Sequence, residues 1–158
     1  MIAFLRIDDK LIHAQMIWGW VRVVKASRII VANDEAARDE LRRELLTMAA
    51  AHLTVKILSL EEAARDLRYH EESQEKSILV VSKPADVVSL LENGVPIKNV
   101  NVGWMSFLPE KRRILETVSV DKEDVAAFRK LISKGVKVSY QMSPSDIQLD
   151  IADYISDR

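Results

Sequence analysis

The sequence contains no cysteine, and this absence excludes several classes of site at once. A chain without thiols forms no disulfide framework, no thiolate zinc site, no iron–sulfur cluster and no cysteine nucleophile. Glycine and proline are also scarce, with four of each in 158 residues, and no low-complexity tract or linker is present. The sequence therefore predicts one domain spanning 1-158, which is stabilised by a hydrophobic core rather than by cross-links.

Neither sign of charge is in excess. Lys and Arg number 23 against 24 Asp and Glu, so the net charge is -1. A protein with this balance lacks the basic field that holds DNA or RNA, and no nucleic acid partner is expected.

Long hydrophobic runs are missing as well. The best candidate, Met16 to Val24, is shorter than the ~18–20 residues of a membrane-spanning helix and is interrupted by Gly19 and Arg22. The first five residues lack the basic flank of a signal peptide. We therefore expect a cytoplasmic protein.

Short β-branched segments alternate with longer segments of helical period, which is typical of an α/β domain. Several of the short segments are apolar without alternation, as in parallel strands covered on both faces. The sequence predicts a three-layer α/β/α sandwich with a mostly parallel central sheet of about seven strands. The predicted strands are Ile2–Ile7, Arg28–Ala32, Thr54–Leu58, Ser77–Ser82, Asn99–Val102, a weaker one around Leu115–Ser119, and Val136–Tyr140.

Capping residues mark the helices between these strands. Ser59 and Glu62 form a capping-box pattern, and Gly94 and Gly135 stand where helices should end. The predicted helix starts are Asn33-Asp34, Ser59, Pro84, Asp121 and, for a last helix, Ser143-Pro144.

The segment after the first strand concentrates reactive side chains: Arg6, Asp8, Asp9, Lys10 and His13 fall within eight positions. Such loops meet at the carboxyl edge of a parallel sheet, where ligands bind. A neutral imidazole is a nucleophile, a carboxylate on its other nitrogen fixes the tautomer, and cations neutralise an arriving phosphoryl group. The spacing alone is also compatible with an ordinary loop histidine among surface ion pairs.

Other sites are weaker in this sequence. His52 and His70 lie outside the cluster, and the three histidines lack metal-ligand spacing, so no metal is expected. No phosphate-binding glycine loop is present, and no nucleotide cofactor is expected.

The segment RIDDKLIHAQ, from Arg6 to Gln15, resembles the phosphorylation-site motif RIDDRLIHGQV of the enzyme IIB component of the bacterial phosphotransferase system (PTS), mannose/fructose/sorbose family. Further similar segments follow in the family's order. They are Arg28 to Ala36, Leu45 to Thr47 ("LLT"), Asn99 to Phe107 ("NVGGM-F") and Val118 to Asp121 ("VSVD").

This resemblance implies a cytoplasmic α/β/α domain and a phosphotransferase activity that needs no cofactor. His13 would accept a phosphoryl group from a phosphohistidine on the IIA component and pass it to a sugar entering through the membrane IIC/IID components. Asp8 would orient the ring, Arg6 and Lys10 would neutralise phosphate, and Gly103 would lie near the same pocket.

Three positions depart from the family pattern: Lys10 replaces an arginine, and Ala14 and Trp104 each replace a glycine. Lysine offers a mobile point charge where arginine holds phosphate with two donors. These departures favour an alternative function, a regulatory phosphocarrier of an incomplete PTS that signals through its phosphorylation state without sugar transport.

Several other side chains have both a structural and a functional interpretation. Thr47 and Asp34 are interpreted as a helix-interior residue and a helix cap. A homo-oligomer is compatible with the sequence, although no interface is evident. The basic run Lys111 to Arg113 is interpreted either as solvated surface or as a contact with a IIA partner. The residues assigned either to the core or to a partner surface are Met16, Trp18, Trp20, Trp104, Met105 and Phe107.

Overall fold

The strands form where the sequence is β-branched and apolar. The computed structural model describes residues 1–156. Its strands are β1 (Ile2–Asp8), β2 (Arg28–Ala32), β3 (Thr54–Leu58), β4 (Ser77–Val81), β5 (Asn99–Trp104), β6 (Arg112–Leu115), β7 (Val118–Val120), β8 (Lys137–Tyr140) and β9 (Leu149–Asp150).

Seven of these strands form one sheet in the order β3-β2-β4-β1-β5-β8-β9. All neighbours are parallel except β8 and β9, which are antiparallel. The α/β class and the mostly parallel seven-stranded sheet predicted from the sequence are confirmed.

Three of the helices begin at predicted caps that accept a backbone hydrogen bond. Asn33, Ser59 and Asp121 each accept a hydrogen bond from a backbone amide of the first turn. The helices are α1 (Ala14–Met16), α2 (Arg22–Val24), α3 (Asp34–Arg38), α4 (Glu40–Ala49), α5 (Leu60–Tyr69), α6 (Pro84–Glu92) and α7 (Lys122–Ser133), with a π-helical turn (Ile17–Val21) joining α1 to α2 and a 3-10 turn (Ile151–Asp153) near the end.

The two faces of the sheet are covered differently. Helices α5, α6 and α7 pack on one face, in a core that includes Leu5, Val100 and Phe128. The first helical segment and α4 pack on the other face, around Met16 and Ile29, over β2, β3 and β4. The alternate residues of β5 and β8 on this second face are polar and border a cavity.

Two sequence predictions at the end of the chain differ from the structure. The weak strand around Leu115–Ser119 is a separate antiparallel hairpin of β6 and β7, because residues 116–117 make a turn. No helix follows Ser143-Pro144: the Asp146 carboxylate accepts from the amide and hydroxyl of Ser143, and this closes a turn that leads into β9. Local side-chain bonding of this kind competes with helix formation.

None of the helices within residues 1–156 combines the length and the hydropathy needed to span a bilayer.

Candidate functional site

The reactive segment lies where neighbouring strands send their loops in opposite directions. The chain leaves β1 towards the face covered by the first helical segment, whereas it leaves β4 and β5 towards the face covered by α6 and α7. Such a divergence opens a crevice at the carboxyl edge of a parallel sheet. The loop after β1 and the loop after β5 meet in this crevice, since the Asp9 amide donates to the Trp104 carbonyl at 3.1 Å.

Asp8 is the centre of the site. Its side chain is fully buried, and its Oδ2 lies 2.8 Å from Nε2 of His13 and 3.1 Å from Nε of Arg6. Its Oδ1 accepts the backbone amide of Lys10 at 3.0 Å. Three donors around one buried carboxylate hold it in one orientation.

Arg6 supports Asp8 from beneath the crevice. The residue is fully buried, and Nη1 donates to Asn101 Oδ1 at 2.9 Å and to the carbonyls of Gln141 and Met142 at 3.2 Å each. Burial lowers the pKa of the guanidinium, and the charge of Asp8 opposes this shift. The sequence interpretation places Arg6 against a phosphate, whereas the structure places it against the Asp8 carboxylate.

Gly103 makes room for this arginine. A Cβ atom at Gly103 would lie 2.0 Å from Cζ and 2.1 Å from Nη2 of Arg6. No other amino acid fits at this position while the guanidinium remains in place.

Two local features make the loop after β1 turn back, so that its residues stay close to Asp8. Leu11 has a left-handed backbone with φ of 58°, which is costly for a branched side chain, and its amide donates to the Asp8 carbonyl at 2.9 Å. Its side chain is fully buried beside Met16, and this burial offsets the backbone strain. His13 follows two residues later, with its side chain 22% exposed.

Asp9 joins the loop after β5 to the loop after β1 by hydrogen bonds. Its carboxylate accepts the amide of Ser106 at 2.7 Å and the hydroxyl of the same residue at 2.9 Å. The two motif carboxylates therefore differ in role: Asp8 contacts the imidazole, and Asp9 holds the loop after β5.

Lys10 lies at the surface of the crevice. Its Nζ is 3.6 Å from the ring centroid of the half-buried Trp104, which is a cation–π contact. The two residues that depart from the family pattern here are therefore in contact with each other.

The geometry assigns the His13 tautomer. Because the Asp8 carboxylate is an acceptor, Nε2 carries the proton and Nδ1 keeps its lone pair. Nδ1 has no hydrogen-bond partner among residues 1–156, whereas Nε2 is engaged. The arrangement can therefore act as a nucleophile at Nδ1.

Some residues considered from the sequence lie outside the site. Asp34 accepts the amide of Leu60, and the Thr47 hydroxyl donates to the carbonyl of Arg43, as structural residues do. His52 is exposed, and His70 contacts Asp66.

The aromatic and apolar candidates divide between core and surface. Met16, Trp20 and Met105 are buried, whereas Trp18 and Phe107 are exposed. The Trp20 indole donates to the Met142 carbonyl at 3.1 Å, so this tryptophan is structural. Trp18, which is 77% exposed, stands on the helical segment that follows His13.

Sequence reasoning missed the supports of Arg6. Asn101 and the carbonyls of Gln141 and Met142 lie about a hundred residues or more from Arg6 along the chain. One signal was available, because Asn101 is a polar residue between the apolar Val100 and Val102 in a central strand.

Comparisons with known proteins agree with one another. The family model of the PTS system sorbose subfamily IIB component matches residues 2–158. The fructose-specific EIIB component of Bacillus subtilis is 40% identical over 150 residues, which are 94% of this chain and 92% of the relative. The mannose-specific EIIAB component of Escherichia coli K12 is 37% identical over 157 residues, which are 99% of this chain and 49% of that longer relative.

A solved structure shows the same architecture. The crystal structure of the IIBSor domain of the sorbose permease from Klebsiella pneumoniae matches with a TM-score of 0.93 and 37% identity, and the match covers 98% of this chain and 96% of that one. Fold and sequence point to the same family along nearly the whole chain. The chain therefore belongs to the sorbose subfamily of PTS IIB components.

Proposed function

We propose that this chain is a phosphocarrier in which Nδ1 of His13 accepts a phosphoryl group from a phosphohistidine of a IIA component and transfers it to a sugar during uptake. PTS IIB components are phosphotransferase domains of sugar uptake and work with IIA and with the IIC/IID permease components. The names of the relatives support fructose, sorbose, mannose or N-acetylgalactosamine as the sugar.

The contact of 2.8 Å between Asp8 and Nε2 of His13 carries this proposal. It leaves Nδ1 as the nucleophilic nitrogen and places a full negative charge behind the ring. An ordinary loop histidine has no need of a fully buried carboxylate that is itself paired with a buried arginine.

The first transfer balances without a cofactor. The Nδ1 lone pair attacks phosphorus, and the donor's N–P bond breaks as the new N–P bond forms. The donor imidazole leaves in its neutral form because its second nitrogen keeps a proton. His13 then carries the phosphoryl group on Nδ1 and the proton on Nε2, and Asp8 stabilises the resulting positive charge on the ring.

The second transfer reverses these roles. A sugar hydroxyl attacks phosphorus, the Nδ1–P bond breaks, and His13 leaves as a neutral imidazole while the hydroxyl proton passes to solvent. The transition state of phosphoryl transfer is loose, so positioning and charge supply most of the catalysis.

The two cations have different parts in this scheme. Arg6 is a positioning residue, because it is fully buried and acts through Asp8. Lys10 is at the mouth of the crevice, where its ammonium can leave the Trp104 ring and neutralise the phosphoryl oxygens.

The test is the intact mass of the protein after incubation with a phosphorylated IIA component. One acid-labile phosphoryl group is expected on the wild type and on His52→Ala, which removes an exposed histidine outside the site. His13→Ala is expected to gain none. Labelling of His13→Ala at another histidine would contradict the assignment.

Adding membranes that contain a IIC/IID permease, together with fructose, sorbose, mannose or N-acetylgalactosamine, tests the second transfer. Loss of the label in the presence of one of these sugars is expected. A label that persists with all four sugars favours the regulatory phosphocarrier, for which the Lys10–Trp104 contact is the specific structural departure.

A further inference from the structure

Besides the crevice at His13, a cavity lies on the second face of the sheet, over the strands β1, β5 and β8 and beside the part that the helices cover. Its volume is about 300 Å³, and it is bordered by the first half of β1, by the segment 96–101 and by residues of β8. Most of its polar wall comes from alternate residues of β5 and β8, namely Asn99, Asn101, Lys137 and Ser139, with Gln148 at the rim.

The residues that line the cavity carry only positive charge, although the protein as a whole is nearly neutral. None of the described residues that line it is acidic, although the chain contains 24 Asp and Glu. Lys98 and Lys137 both line it, and neither has a carboxylate partner among residues 1–156. The two lysines are neighbours, since the Lys137 amide donates to the Lys98 carbonyl at 2.9 Å. The cavity therefore attracts an anion.

The remaining polar groups favour a hydroxyl-rich molecule. Ser139 is only 4% exposed, and its hydroxyl has no hydrogen-bond partner in the described part of the chain. The amides of Asn99 and Gln148 also line the cavity. Sugar hydroxyls supply both donors and acceptors, and the Ser139 hydroxyl and these two carboxamides can pair with them.

We propose that this cavity binds a phosphorylated sugar, with the phosphate at Lys98 and Lys137 and the sugar hydroxyls against Asn99 and Ser139. The site itself follows from its lining, whereas the expectation that its ligand is the product of the transport reaction rests on the proposed function. A volume of about 300 Å³ is at the lower end of the range for small-molecule sites and suits a monosaccharide phosphate.

The cavity and the His13 site have Asn101 in common. Asn101 lines the cavity and at the same time accepts the Nη1 hydrogen bond of Arg6, which holds Asp8. A ligand that competes for the Asn101 carboxamide weakens the hold of Arg6 on Asp8. Bound sugar phosphate is therefore expected to slow phosphorylation of His13.

Calorimetric titration of the whole protein with fructose 1-phosphate and with mannose 6-phosphate tests binding. We expect a Kd of about 1 mM or tighter for at least one of them, and a value at least tenfold weaker in the double variant Lys98→Gln, Lys137→Gln. The matched control Lys122→Gln, Lys134→Gln changes the net charge equally, on and after α7, and is expected to bind as the wild type does. His13→Ala is also expected to retain binding, because the ligand lies elsewhere.

Three results would overturn the site: no binding of either sugar phosphate at 10-fold above that Kd, roughly 10 mM; equal binding by the two double variants; or inorganic phosphate binding as tightly as the sugar phosphate. Binding is measured without phosphoryl transfer, so it can fail while His13 is still labelled, and labelling can fail while binding persists.

The rate of His13 labelling tests whether ligand binding in the cavity affects the His13 site through Asn101. Saturating sugar phosphate is expected to slow labelling at least threefold in the wild type and clearly less in Lys98→Gln, Lys137→Gln, which binds it more weakly. Equal slowing in both proteins would place the ligand at His13 and overturn the coupling.

Discussion

At the scale of single residues, a fully buried cation contacts the candidate site only through another side chain. Arg6 touches Asp8, and Asp8 touches His13. Removing a partner from such a buried pair leaves an uncompensated charge, which costs several kcal/mol in typical proteins. The pair therefore stabilises the fold, and under the proposed function it also orients the imidazole.

Gly103→Ala tests this arrangement without removing a charge. The new methyl group would overlap the Arg6 guanidinium at 2.0 Å, so the arginine must move away from Asp8. We expect a loss of roughly 2–3 kcal/mol in the free energy of unfolding and a fall in the rate of His13 labelling, measured by urea unfolding and by intact mass. Gly135→Ala is the matched control. Gly135 has φ of 84° and open space around it, so this variant is destabilised by backbone strain alone. Equal labelling rates in the two variants would contradict a positioning role for Arg6.

The sequence does not predict which of the charged residues near His13 are buried and which are exposed. The motif brings Arg6, Lys10 and two carboxylates close to His13 along the chain, but nothing local distinguishes the buried cation from the surface one. That distinction depends on Asn101 and on the carbonyl of Gln141, which the sheet brings from 95 and 135 residues away.

At the scale of elements, local signals were sufficient where a cap or a β-branched run decided the structure. Asp121 accepts the amide of Asp124 at 2.8 Å, and Asp124 accepts the amide of Asp121 at 3.1 Å, so α7 begins with the predicted cap in a reciprocal capping box. The hairpin of β6 and β7 and the short β9 were not predicted, because a two- to four-residue strand has too few positions to show a period.

The first turn of α6 carries a carboxyl group whose titration should affect stability. Asp86 is 5% exposed, and its burial raises the pKa of the carboxyl above the usual value, although the Ser82 hydroxyl donates to it at 3.1 Å. The folded state therefore binds this proton more tightly than the unfolded state does. The stabilising effect of the protonated form is complete below the unfolded pKa and is lost as the pH rises through the folded pKa.

Asp86→Asn removes this titration and keeps an acceptor for Ser82. The difference in unfolding free energy between the variant and the wild type should shift in the variant's favour as the pH rises from about 4, near the unfolded Asp pKa, towards neutrality. Urea unfolding of both proteins across this range measures it. A pH-independent difference would show that Asp86 has the same pKa in both states.

At the scale of the whole molecule, two ion clusters lie at opposite ends of the sheet. The His13 site is at the carboxyl edge. At the amino ends of β2 and β4, Asp66 of α5 lies 2.9 Å from Lys56 and 3.7 Å from Arg28, while Arg28 donates to Ser77 at 2.8 Å. The first cluster lines a crevice, whereas the second joins α5 to the sheet.

Asp66→Asn should separate stability from chemistry. Arg28 is only 4% exposed, and the variant removes the carboxylate that faces it. We expect a loss of about 3 kcal/mol in the free energy of unfolding and an unchanged labelling rate per folded molecule. A labelling rate that falls with stability would show that the two edges are coupled.

The two-residue strand β9 has a consequence for association between chains. Each edge strand of an open sheet has unpaired backbone N–H and C=O groups to which a strand of another chain can add, and such addition is a route to aggregation. At one edge, β9 offers only Leu149 and Asp150 before the 3-10 turn (Ile151–Asp153) bends the backbone away. At the other edge, β3 presents five residues in regular parallel register with β2. Any intermolecular cross-β growth of this protein should therefore start at β3, and a proline within Thr54–Leu58 should suppress it more than one at Leu149.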